Sequence, residues 1–146
     1  MVALGVLAVR AEMPVTPMDT TQTLIGFPLG GPEDGRFGFS IGDTALRESI
    51  WNILMTRPGE RLMRPEFGAG LGQFVHQPNS QTTRALMVDT IRTAITRWEP
   101  RIVLLGITAD ADTRDLTLVR LTIDYRAVAN SRADRLDLTV SLGGAL

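Results

Sequence analysis

An acid and a base flank a proline in the tripeptide Glu99-Pro100-Arg101 of this 146-residue chain. Proline disfavours helical geometry at the residue before it, so a helix that leads into the tripeptide must end at Glu99. Opposite charges then stand on either side of a rigid helix exit, and Arg101 lies near the helix C-terminus, where a cation is stabilised by about 0.3–1 kcal/mol. Two roles stay open on these residues alone: an internal clasp, for instance from Glu99 to Arg61, or a contact with a partner.

A second group of charges lies in a glycine-rich stretch, where Gly59-Glu60-Arg61 is followed by Arg64 and Glu66. Such a loop can be held by its own salt bridges, bind an anion, dock a partner or carry a catalytic pair of carboxylates. A glycosidase needs two carboxylates about 5–9.5 Å apart in a cleft. Glu60, Glu66 and Glu99 are candidates only because they are acids, since nothing in their spacing imposes that geometry.

Other site chemistries are excluded by composition. The chain has no cysteine and one histidine, His76, and no acid lies within nine residues of it on either side. We therefore predict no metal and no cofactor, and we interpret His76 as a loop or cap residue. No glycine cluster is followed by the Lys-Ser/Thr of a phosphate-binding loop. All 15 bases are arginine and the net charge is −1, which argues against a dedicated nucleic-acid binder.

The length predicts one domain, because domains run to roughly 100–200 residues. We place a single α+β domain at 24–142, an N-terminal arm at 1–23 and a C-terminal tail at 143–146. No apolar run approaches the roughly 18–20 residues that span a bilayer. The apolar opening of the chain lacks a basic leader, so we expect no secretory signal.

Two amphipathic helices must position the charged groups. Leu46, Ile50, Ile53 and Leu54 form one apolar stripe, with Asp43 as the predicted N-cap. The second helix is predicted over Ser80–Trp98, capped by Asn79 or Ser80. Apolar residues at helical spacing form one face of this helix: Met87, Ile91, Ala94, Ile95 and Trp98.

The remaining pattern has period two and predicts an antiparallel β-meander with one face buried against the helices. The predicted strands cover 102–108, about 116–127 with a bulge near Val119, and 135–142. Two short strands are predicted earlier in the chain, at Leu24–Leu29 and Arg36–Ser40.

Two blocks of sequence resemble the small baseplate wedge family of contractile phage tails and related injection systems. The first runs from Ile50 through Arg57-Pro58-Gly59-Glu60-Arg61 to Met63, Pro65, Phe67-Gly68 and Leu71. The second is Trp98-Glu99-Pro100-Arg101-Ile102. Type VI secretion baseplates, tailocins and extracellular injection particles share this family, and the resemblance covers roughly residues 25–142.

The resemblance implies a structural, non-enzymatic subunit that links the wedge core to the first sheath ring and seeds sheath assembly by strand addition. Glu99, Pro100 and Arg101 would contact other wedge subunits, supported by Gly59, Glu60 and Arg61. Strand edges and terminal arms would join sheath subunits or neighbouring baseplate chains, and inner-tube or hub proteins are further candidate partners. In agreement with the charge and the missing cofactor motifs, we expect no nucleic acid, small-molecule substrate or cofactor. Because the sequence lacks an export signal, we expect assembly in the cytoplasm, into a tail-like particle. The alternatives are a cell-wall glycosidase and an arginine-based nucleic-acid binder.

Overall fold

The computed structural model describes residues 25–26 and 40–143. Two short strands come first, β1 (Ile25–Gly26) and β2 (Ser40–Ile41), and they pair antiparallel. The rest of the predicted strands at 24–29 and 36–40 lies outside the described residues. The predicted arm at 1–23 and all but the first residue of the tail at 143–146 lie outside them as well.

The first helix, α1, spans Asp43–Met55 and begins at a glycine rather than at a side-chain cap. Gly42 is the N-cap residue, with a φ of 67°, so the predicted Asp43 cap is wrong. Asp43 is instead the first helical residue, where its negative charge is stabilised by the partial positive charge of the helix N-terminus. Its carboxylate forms an ion pair with Arg132 at 3.3 Å. The apolar stripe is confirmed, because Leu46, Ile50, Ile53 and Leu54 are all buried.

The second helix, α2, spans Gln81–Trp98 and follows a 3-10 turn at Leu71–Phe74. Ser80 is its N-cap, as predicted, and its hydroxyl accepts a hydrogen bond from the Thr83 N–H at 3.1 Å. The helix ends at Glu99, as the following proline requires.

Three antiparallel strands follow, in the order β3 (Ile102–Ala111), β4 (Leu118–Ala127) and β5 (Ala133–Ser141). Their inward side chains and the buried faces of α1 and α2 form one core. The predicted α+β arrangement, with two helices on one face of a β-meander, is confirmed.

The irregularity in the sheet lies in β3, so the predicted bulge near Val119 is wrong. Register runs unbroken along β4 on the β5 side, whereas on the β3 side it shifts between Leu104 and Gly106. The bulge is predicted because Leu116 and Leu118 are apolar but out of phase with Val119 and Leu121. Leu116 lies in the turn before β4, with 74% of its surface exposed, and Leu118 is the first residue of β4 and only half-buried.

Candidate functional site

The carboxylate of Glu99 is buried at the helix exit, and Arg101 clasps it from two residues further on. Glu99 is 2% exposed. The Arg101 Nε donates to its Oε1 at 2.6 Å and the Arg101 Nη2 donates to its Oε2 at 2.7 Å. The hydroxyl of Ser49, on α1, donates to Oε2 as well. The turn is thus fastened to the first helix through the same carboxylate.

This arrangement keeps Glu99 ionised. Burial alone raises the pKa of the carboxyl, but the hydrogen bonds from Arg101 and Ser49 together outweigh it, and the pKa is lowered. The Glu99 carboxylate in turn raises the pKa of Arg101. The pair is therefore a fixed ion pair rather than a proton donor or acceptor.

Arg61 is not the partner of Glu99, so the clasp suggested between them is wrong. The Arg61 guanidinium instead stands 4.0 Å above the ring centroid of Phe67. Glu99 can satisfy both oxygens locally, because Arg101 lies just beyond the proline and its fork fits the carboxylate in two parallel hydrogen bonds. That leaves Arg61 free to stack on an aromatic face, which a guanidinium does well.

Stacked side chains connect the two sequence blocks at the C-terminal end of α2. Phe67 packs against Trp98, with ring centroids 5.3 Å apart and tilted by 54°. Arg97 lies 4.9 Å from the Trp98 ring centroid and forms an ion pair with Glu66. The segment 57–70, which we call the charged loop, is thereby held against the end of α2, beside Glu99.

Hydrogen bonds and one glycine fix the path of the charged loop. The N–H of Gly59 donates to the Pro65 carbonyl at 2.5 Å, and the N–H of Ala69 donates to the Ile53 carbonyl at 2.7 Å. At Gly68 the backbone has a φ of 105°, and an added Cβ would lie 2.1 Å from the Thr56 carbonyl oxygen. No other residue fits there without moving the backbone. The loop is consequently an ordered part of the fold.

The predicted site residues thus fall into two neighbouring groups. The turn Glu99-Pro100-Arg101 leaves Pro100 exposed and Arg101 about one-third exposed, with Glu99 beneath them. In the loop, Gly59, Glu60 and Arg61 are all exposed, and the Glu60 carboxylate accepts a hydrogen bond from the Arg57 N–H at 3.0 Å. Both groups border the stack of Phe67 on Trp98.

Sequence reasoning missed three contributors to the surface formed by the turn and the charged loop. Ser49 gave no signal, because a serine on a helix face is usually solvated. Leu62 and Met63 are 96% and 94% exposed at the tip of the charged loop. Their signal was available: two large apolar residues stand between Arg61 and Arg64 in a stretch without helical or strand period.

Each of the three candidate carboxylates has a partner other than a second carboxylate. Glu66 is paired with Arg97, Glu60 bonds a backbone amide, and Glu99 is buried in its ion pair. A glycosidase acid must hold its proton near neutral pH, which requires a raised pKa, and the pKa of Glu99 is lowered. Among the described residues no group of three or more histidines, cysteines and acids could hold a metal.

His76 lies exposed in the turn before α2, as predicted. Within the described ranges, none of the helices has the length and hydrophobicity required to cross a bilayer.

Comparisons of both the sequence and the fold with known proteins identify the family of this chain. The family described as baseplate wedge protein gp25 matches residues 41–132 of the chain, a range that contains both sequence blocks. The chain therefore belongs to the gp25 family of baseplate wedge proteins, from contractile tail systems.

Two viral proteins illustrate the relationship. Baseplate protein W of Escherichia phage P2 is 27% identical over 104 residues, which cover 70% of this chain and 87% of that protein. Baseplate wedge protein gp25 of Enterobacteria phage T4 is 30% identical over 80 residues, which cover 55% of this chain and 61% of that protein.

Solved structures agree with this assignment. A chain of the anti-feeding prophage baseplate is 28% identical with a TM-score of 0.63, covering 75% of this chain and 86% of that one. A chain of the postcontracted pyocin R2 baseplate is 27% identical with a TM-score of 0.50, covering 81% and 98%. A Geobacter sulfurreducens protein described provisionally as a tail lysozyme is 32% identical with a TM-score of 0.65, covering 76% and 100%.

Proposed function

We propose that this chain is a non-enzymatic wedge subunit that links the wedge core to the first sheath ring and seeds sheath assembly by accepting a strand. The observation that supports the proposal is the unpaired edge of β5. Within the described residues the sheet order is β3-β4-β5, so β5 is hydrogen-bonded on one side only. An unpaired edge is a ready template for a strand from another chain.

The direction of the free hydrogen-bonding groups follows from two contacts. The Leu142 N–H donates to the Thr117 carbonyl at 2.8 Å, and the Ala127 N–H donates to the Arg132 carbonyl at 3.0 Å. Backbone groups of successive residues point to opposite sides of a strand, and the β4–β5 register is unbroken. The N–H and C=O of Thr139, and of the odd-numbered residues around it, therefore face away from β4.

The two edges of the sheet differ in how readily they can accept a strand. The nine residues of β5 contain no proline or lysine and no bulge. On β3, the extra residue Leu105 interrupts the register beside Gly106. Bulges are one device by which proteins protect an edge from pairing. These features favour β5 as the accepting edge.

The surface formed by the turn Glu99-Pro100-Arg101 and the charged loop would contact the wedge. In this proposal Arg101 offers its outer N–H groups to another wedge subunit, while Glu99 holds it in place and Pro100 shapes the turn. Gly59, Glu60 and Arg61 belong to the same contact. The packing of the charged loop against Trp98 supports this grouping, because it puts both sequence blocks on one surface.

Proline substitution tests the accepting edge. Thr139→Pro removes an outward N–H and leaves the bonds to β4 intact, since proline is tolerated in an edge strand where its nitrogen faces solvent. Ala109→Pro is the matched control on β3, where the same alternation turns the Ala109 N–H outward. We expect normal folding of both variants, but sheathless tails from Thr139→Pro alone in electron micrographs of a complemented deletion strain. Sheathed tails from Thr139→Pro, or their loss only with Ala109→Pro, would contradict the choice of β5.

The wedge contact is tested separately with Arg101→Glu. We expect a protein that still folds, although with a lower Tm because buried Glu99 loses the side-chain donors of Arg101. It should no longer co-purify with the other wedge subunits, because a negative charge replaces the outward donors. Circular dichroism of the variant establishes that it is folded before the co-purification is scored. Normal assembly of this variant would show that the turn is not the wedge contact.

An enzymatic alternative is tested directly, because one structural neighbour is described as a tail lysozyme. We expect purified peptidoglycan to stay intact with this chain, since its three candidate carboxylates are engaged elsewhere. Turnover that is abolished by Glu60→Gln or Glu99→Gln would overturn the non-enzymatic proposal.

We place the chain in a tail-like particle that assembles in the bacterial cytoplasm. Its partners would be other wedge subunits and sheath subunits, with inner-tube or hub proteins as further candidates, and neither nucleic acid nor a small-molecule substrate. Retention on DNA that falls steeply with salt concentration would contradict that list.

A further inference from the structure

The tip of the charged loop exposes two large apolar side chains side by side. Leu62 is 96% exposed and Met63 is 94% exposed, and the next most exposed large apolar side chain among the described residues is Leu116, at 74%. Single exposed apolar residues are common on protein surfaces. Two adjacent ones at full exposure require a reason.

The tip is held in shape although its side chains contact little. The Gly59 N–H donates to the Pro65 carbonyl at 2.5 Å across the tip, and the Arg64 N–H donates to the Arg61 carbonyl at 3.2 Å around the apolar pair. Phe67, just beyond, is buried against Trp98. A tip with so fixed a backbone loses little entropy when it docks, which is what a pre-organised binding element requires.

Positive charge surrounds the apolar pair. Arg61 and Arg64 flank it in sequence, and Arg57 stands at the base of the loop. The loop also holds two acids: Glu66 pairs with Arg97, and the exposed Glu60 accepts a hydrogen bond from the Arg57 N–H. Three arginines against two acids leave residues 57–70 with a net charge of +1. A complementary surface would therefore be apolar at its centre and acidic at its rim.

We propose that Leu62 and Met63 insert together into an apolar cleft rimmed by carboxylates on a neighbouring baseplate subunit. The inference rests on the wedge contact proposed above and extends it. Phe67, four residues beyond Met63, packs against Trp98, three residues before Arg101, and this contact brings the loop close to the turn. Leu62 and Met63 supply the buried centre of the contact, and Arg64 supplies charge at its rim. Side chains that become fully desolvated near the centre of an interface usually contribute most of its binding energy.

A double variant with a matched control tests the insertion. Leu62→Ser with Met63→Ser removes the apolar tip, and Leu86→Ser with Leu116→Ser removes two exposed leucines elsewhere, 51% and 74% exposed. Binding of each purified protein is titrated on immobilised baseplates from a strain lacking the chain. We expect affinity to fall by at least about tenfold for the tip variant and to be unchanged for the control. Both variants should melt within a few degrees of the wild type, since these side chains lie outside the core.

The other possible results separate the insertion of the tip from the wedge contact and from binding to a membrane. Equal affinity of the tip variant and the wild type would overturn the inference, whereas the wedge contact would survive if Arg101→Glu still abolished binding. If neither change weakened binding, the wedge contact would fall too. Flotation with phosphatidylglycerol vesicles, lost only in the tip variant while baseplate affinity is retained, would make the tip a membrane element. Unchanged binding of Arg64→Glu would overturn the acidic rim.

Discussion

Glu99→Gln is the perturbation that best tests how the helix exit is built. The carboxylate accepts two hydrogen bonds from the Arg101 side chain, one from the Arg101 backbone N–H at 3.4 Å and one from Ser49. Hydrogen bonds to a charged group contribute about 1.5–3 kcal/mol each. Glutamine keeps one acceptor oxygen but turns an amide nitrogen toward a donor. Breaking a buried ion pair costs about 3–5 kcal/mol, but Arg101 is 36% exposed and can regain water. We therefore expect a loss of about 2–3 kcal/mol.

Thermal unfolding followed by circular dichroism measures this loss. For a chain of this length, each kcal/mol lowers Tm by about 2–4 °C, so Glu99→Gln should lower Tm by about 5–10 °C. Glu60→Gln is the matched control, because that exposed carboxylate accepts one hydrogen bond from a backbone amide. The control should change the free energy of unfolding by less than about 1 kcal/mol.

The pH dependence gives an independent check. The pKa of Glu99 is lowered in the folded chain, so its stabilising contribution is present above the ordinary carboxyl pKa of 4.5 and is lost as pH falls through the folded value. The difference in Tm between wild type and Glu99→Gln should accordingly shrink below pH 4.5. A difference that is constant down to strong acid, or equal melting of Glu99→Gln and Glu60→Gln at neutral pH, would refute the reasoning.

Two further substitutions probe the loop and the sheet. Gly68→Ala places a Cβ 2.1 Å from the Thr56 carbonyl oxygen at a φ of 105°, so denaturant titration should show a loss of more than about 3 kcal/mol. Gly106→Ala, where nothing lies within 4 Å, should change stability by less than about 1 kcal/mol, and similar losses from both would contradict the steric argument. Asp134→Asn weakens a two-bonded ion pair with Arg47 and should cost about 1–2 kcal/mol at neutral pH. Because the hydrogen bond from Arg47 helps to lower the pKa of Asp134 despite its burial, that cost should vanish in acid, and a pH-independent cost would argue against it.

Periodicity along the chain is sufficient to predict the elements that form the core. Ile50 and Leu54 repeat at helical spacing, Leu121 and Ile123 alternate with polar residues, and all four are buried. The end of α2 was predictable too, because Pro100 restricts the residue before it.

The details of pairing were not predictable in the same way. Which arginine pairs with Glu99 depends on the backbone path through the turn, and the sequence alone is equally compatible with Arg61 and Arg101. The bulge at Leu105 has one local signal, since a glycine inside a strand pattern, here Gly106, favours a bulge. The register on either side of it is decided by how β3 pairs with β4, which the residue types alone do not encode.

If Arg101 contacts another wedge subunit as proposed, its fork on Glu99 has a consequence for the selectivity of assembly. A free arginine side chain has about 2 kcal/mol of rotamer entropy, and immobilising such a side chain at an interface costs about 0.5–1.5 kcal/mol. Folding has already restricted Arg101, whose Nε and Nη2 each donate one hydrogen bond to the carboxylate. Its three remaining N–H donors point in fixed directions before any partner arrives. A lysine at this position would preserve the charge but not those directions, so the geometry of the donors, more than their charge, would distinguish one neighbouring chain from another.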